Sequence, residues 1–102
     1  MIVYEVNLKV RESVRAAWLD WLRGHVEDML DFPGFRTAEI LAEDPAEPGW
    51  RRFCVRYHVA SRADLERYLA EDAQRMRAEG MRLFAGQFEA SRRVLSRVPD
   101  DA

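Results

Sequence analysis

The chain has a single cysteine, Cys54, so it cannot close an internal disulfide, and a reducing cytoplasm is the setting it suits. Of its 16 basic residues only Lys9 is lysine, and the acids still outnumber them, for a net charge of −2. That balance argues against a nucleic-acid partner, which excess positive charge would have to hold. No apolar run approaches the ~20 residues that cross a bilayer, so no membrane partner is expected. The opening MIVYEVNLKV lacks a basic region ahead of its apolar residues and a small-residue cleavage site, so it does not read as a signal peptide. The five glycines are isolated, which leaves no phosphate loop, dinucleotide fingerprint or nucleophile elbow. Two histidines and one cysteine, far apart, offer no metal-ligand spacing. Neither a metal nor another cofactor is expected.

What the chain does have is patterned. Its 102 residues, 48% apolar and 33% charged, suit one soluble domain, read as 1–98 with a frayed tail at 99–102. Residues 2–10 alternate, with Ile2, Tyr4, Val6, Leu8 and Val10 on one face and Val3, Glu5, Asn7 and Lys9 on the other, the signature of a half-buried strand. Ser13 is placed to cap a helix over 14–30, whose apolar stripe holds Val14, Trp18, Trp21, Leu22 and Met29. Trp18 and Trp21 are both expected to be buried. FPG at 32–34 stops that helix.

A second strand is expected over 35–43, a hairpin loop at 44–49 (DPAEPG), and a third strand over 50–59. Ser61 with Asp64 is a capping-box signal opening a long helix. Leu65, Leu69, Met76 and Leu83 mark its buried side, flanked by Tyr68, Ala73 and Phe84. A last strand runs over 88–98. The order β-α-β-β-α-β predicts a ferredoxin-like α+β domain, a four-stranded antiparallel sheet with its helices on one face.

Three places have groups suited to chemistry. His25 lies within the apolar arc of the first helix, where an imidazole needs a hydrogen-bond partner or contacts a ligand as a base. Asp72 falls on the buried stripe of the second helix, which calls for a local break near 72–74 or an arginine partner. The bare face of the sheet places Glu5, Asn7 and Lys9 beside Cys54, Arg56 and His58, with Arg92 or Arg93 nearby, an array suited to an acidic small molecule or to a subunit interface. The segment Val3–Leu8 looks superficially like the first-strand motif of RNA-recognition domains. The apolar set turns Tyr4 toward the core, however, and not toward the bare face where that motif needs it.

Taken together, MIVYEV at the start, WLDWLRGH at 18–25, VRYHVASRADLERYLAEDAQRMRAEG at 55–80 and FEASRRVL at 88–95 resemble an uncharacterised bacterial family known as a domain of unknown function. That family groups with the dimeric α/β-barrel superfamily of antibiotic-biosynthesis and haem-degrading monooxygenases. The resemblance implies a homodimer forming an α/β barrel and leaves the reaction open. It implies histidine at His25 and arginine at Arg92; at Gln74 members often have proline, and at Asp72 a histidine or aromatic. Asn7 matches the strand-one asparagine of haem-degrading relatives, but 61–85 contains no histidine, so haem chemistry is not implied.

Three functions follow as alternatives: a small-molecule-binding dimer, with Asn7, His25, Arg56, His58 and Arg92 as ligand contacts; a cofactor-independent enzyme of monooxygenase or isomerase type, with His25 or His58 as base; or a structural interaction module.

Overall fold

The structure, a computed structural model, describes residues 1–44 and 47–99. Pro45 and Ala46 of the expected hairpin loop, and 100–102 of the expected tail, lie outside the described residues. Four strands, β1 (Ile2–Arg11), β2 (Phe35–Ala42), β3 (Trp50–Val59) and β4 (Phe88–Ser96), form one antiparallel sheet in the order β2-β3-β1-β4. Three helices, α1 (Arg15–Met29), α2 (Arg62–Glu71) and α3 (Ala73–Leu83), accompany it. This is the ferredoxin-like fold that the element order predicts, with the second helix divided in two.

The alternation of β1 sets the layering. Ile2, Tyr4, Val6, Leu8 and Val10 are buried under the helices, joined from β3 by Phe53, Val55, Tyr57 and Val59. Trp18, Leu22, Val26 and Met29 of α1 pack onto them. Trp18 is fully buried, with its ring 5.5 Å from Phe53 and 6.1 Å from Phe88 between centroids.

Three expectations about helix ends and faces are corrected. Ser13 does not cap α1: Glu12–Val14 form a 3-10 turn, and the Arg15 amide bonds the Glu12 carbonyl, so the backbone itself satisfies that group. The Ser61 cap does form, its hydroxyl accepting from the Asp64 amide at 3.1 Å. The long helix breaks at Asp72 as its place on the buried stripe requires: the residue leaves the helical region (φ −125°, ψ −23°) and accepts a hydrogen bond from Arg75 at 3.0 Å. The break shifts the phase of everything after it. Leu83, expected inside, is exposed, while Ala73 and Gly80 are buried; ahead of the break Leu69 is exposed as well, because Tyr68 takes the inward position in α2. Trp21 is half-buried rather than buried, because it closes one side of a cleft instead of meeting the sheet.

Candidate functional site

The open sheet face and the helix side hold different parts of the expected site. On the open face Glu5 is nearly inaccessible, 2% exposed, because long neighbours on β3 and β4 fold over it. Arg93 donates to one carboxylate oxygen, while the Cys54 thiol and Arg56 Nε donate to the other at 3.1 and 3.4 Å. The Arg93 hydrogen bond foremost, then the thiol, holds the Glu5 carboxyl at about 2, well below its usual range. Burial, and the Glu5 carboxylate beside it, push the Cys54 thiol up to about 11. Cys54 is therefore a protonated donor with no nucleophilic character near neutrality. Asn7 stands on this face across from Cys54 and Ser91. His58 stands across from Val3, with Nε2 3.8 Å from Glu39 Oε1. Asn7, Arg56 and His58 therefore share one face, but they surround a self-satisfied carboxylate rather than an open pocket.

His25 and Arg92 lie on the other side. β4 alternates, so Arg93 faces Glu5 while Arg92, paired with Val6 of the core face, points to the helix side. There a cleft of about 400 Å³ separates the sheet from α1 and α3. Its floor is Tyr4, Val6, Leu8, Val55 and Tyr57; Trp21, Leu22, His25 and Met29 line it from α1; Arg77 and Met81 line it from α3, with Phe84 just beyond. Phe88, Ala90 and Arg92 of β4 form its mouth, where Ala90 and Arg92 are exposed. Apolar volumes of this size with a few convergent polar groups are the usual form of small-molecule sites.

The α1 wall is built by close approach. A side chain at Gly80 would put its Cβ 2.6 Å from the Trp21 ring, so glycine lets the indole lie against α3. The indole N–H donates to Glu79 Oε1 at 3.3 Å, and the His25 ring stacks on the same indole, 4.8 Å between centroids with planes 24° apart. Among the described residues of the single chain His25 makes no hydrogen bond, and this ring contact is what holds it. Desolvation is the main cause lowering the His25 pKa, with Arg92 adding to it, against Asp28 and Glu79, which raise it. The imidazole is therefore neutral near pH 7.

Arg77 is the residue that sequence reasoning missed. Its Nη2 donates to the Tyr4 hydroxyl at 2.9 Å, and its buried Nε has no partner. Tyr4 stacks 6.0 Å from Tyr57 and lies 6.1 Å from Tyr68, whose hydroxyl burial pushes up to about 12. The small residues Ala73 and Gly80, seven apart, were the available signal. Arg77 lies between them on their helical face, but only once the break at Asp72 is known.

Residues 1–98 match the family described as a domain of unknown function (DUF4286). No curated protein matches the chain. Among solved structures it is similar to SnoaB, a cofactor-independent oxygenase from Streptomyces nogalater, with a TM-score of 0.72, 14% identity and coverage of 96% of this chain and 94% of that one. An antibiotic biosynthesis monooxygenase superposes with a TM-score of 0.71, 17% identity and coverage of 97% and 100%. A de novo designed protein, Foldit4, superposes with a TM-score of 0.62, 18% identity and coverage of 95% and 98%. At these identities the likeness is one of fold.

Proposed function

The chain belongs to the DUF4286 family, whose description assigns no activity, and we propose that it is a homodimeric small-molecule-binding protein of a reducing, cytoplasmic compartment whose ligand sits between the sheet and α1/α3. The observation that supports this most is the cleft of about 400 Å³, apolar and aromatic, onto which His25, Arg77 and Arg92 converge. Ala90 tests it, because it lines the cleft yet lies on the exposed edge strand, where a larger residue adds bulk without disturbing the core. The neutral dye Nile red should bind the native protein, and Ala90→Phe should weaken it at least about tenfold with an unchanged unfolding transition. Equal binding by both proteins would put the dye elsewhere and remove the cleft as a site.

A second reading makes the same cleft catalytic. A neutral imidazole at its wall can take a proton from a bound acid, with Arg92 stabilising the anion that results. SnoaB, of similar fold, is described as acting without a cofactor. This reading differs in requiring turnover that His25→Gln abolishes while binding persists.

The dimer forms through the open sheet face. All three helices cover the other side, and the open face mixes Val3 and Cys54 with the Glu5–Arg56–Arg93 group. A twofold axis over such a face brings like patches into self-complementary contact. Sedimentation equilibrium at micromolar concentration should return twice the 11.9 kDa chain mass. A clean monomer there would sink the dimer and leave the cleft reading intact.

A further inference from the structure

We infer that the ligand of the cleft is an aromatic carboxylate, its acid group held by Arg77 and Arg92 and its rings laid against Trp21, Phe84 and Phe88. This rests on the cleft being a small-molecule site and names the class of molecule it takes. The first argument is charge. Among the described residues no aspartate or glutamate lines the cleft, while two arginines do. Several arginines elsewhere pair with carboxylates, Arg51 with Glu12, Arg67 with Asp64, Arg75 with Asp72 and Arg93 with Glu5, while exposed Arg11 lies on Trp50 and exposed Arg62 bonds Ser96. Among the described residues neither Arg77 nor Arg92 has such a pair. Arg77 is half-buried and, among the described residues, bonds only the neutral Tyr4 hydroxyl and keeps an unpartnered Nε. A guanidinium withdrawn from water without a counter-charge is costly, and a carboxylate arriving in the cleft removes that cost.

The second argument is shape and chemistry. A planar guanidinium matches a carboxylate through paired N–H groups. The remaining lining is mostly aromatic and aliphatic, with the Trp21 indole, the Phe84 and Phe88 rings, the phenols of Tyr4, Tyr57 and Tyr68 and the His25 imidazole, which favours a flat aromatic body.

Matched probes decide the matter. Calorimetric titration of 2-naphthoate and 2-naphthamide into the native protein compares ligands of nearly one shape that differ in charge. The acid should bind at least about tenfold more tightly than the amide. Arg92→Met, at the exposed mouth where folding does not depend on it, should bring the acid down toward the amide. An amide that binds as well as the acid overturns the inference and leaves the cleft as a site for neutral ligands. Nile red binding without binding of either naphthyl compound overturns it as well. Failure of the dye and both naphthyl compounds overturns the cleft reading along with it.

Discussion

Trp18→Ala should cost about 3–5 kcal/mol of unfolding free energy, the range for removing a large aromatic side chain from a packed core. Trp18 is fully buried where α1 crosses the sheet, and its ring touches Phe53 of β3 and Phe88 of β4. It therefore ties the helix to strands on both sides of β1, and truncation leaves a void that none of the three can fill alone. The indole also carries a defect: its Nε1 is buried without a hydrogen-bond partner. Trp18→Phe removes that unpaired donor while keeping most of the ring. It should cost about 1.5 kcal/mol or less, since the lost packing is partly offset by the desolvation penalty no longer incurred. Urea unfolding followed by far-ultraviolet circular dichroism measures both. A loss below about 1 kcal/mol for Trp18→Ala would mean that α1 does not pack in this phase.

The second large effect is a pH dependence centred on Glu5. Its folded carboxyl sits at about 2 against an ordinary 4.5. A depressed acid stabilises the fold at pH values above 4.5, and that stabilisation is lost as the pH falls from 4.5 toward 2. A shift of this size would correspond to about 3 kcal/mol without screening. Arg93 and Arg56, however, reach water along 61% and 42% of their side chains, and the cover over Glu5 is a single layer of such residues. Screening reduces the expected contribution to roughly 1–2 kcal/mol. Glu5→Gln should lose that amount at pH 7, and the gap between variant and native protein should narrow by more than half at pH 3. Urea midpoints at the two pH values, taken at one protein concentration, measure it. A gap that stays constant would show that the Glu5 charge contributes nothing to the fold.

Much of this protein is legible from alternation alone. The period-two pattern of Ile2–Val10 fixes which residues of β1 enter the core, because a strand has only two faces. Tyr4 enters the core as that parity requires. Ser61 and Asp64 announce the start of α2 because capping is chemistry between residues three apart, and it forms as expected. These are local rules, and local sequence is enough to apply them.

The cleft was not legible in the same way. Residue type marks His25 and Arg92 as candidates but groups them with Asn7, Arg56 and His58, which the sheet holds on its opposite face. Whether Arg92 or Arg93 points to the helices depends on how β4 registers against β1, and adjacent arginines give no local sign of it. Arg77 stayed hidden because the backbone leaves the helix at Asp72, and a few tens of degrees of torsion there rotate every later side chain. That break changes which later residues are buried, so Leu83 turns out to solvent while Arg77 turns in. Local pattern determined the elements and the core face of the sheet. The meeting of β4, α1 and α3 around one cleft was decided by register and helix phase, which are set by contacts between residues far apart in the chain.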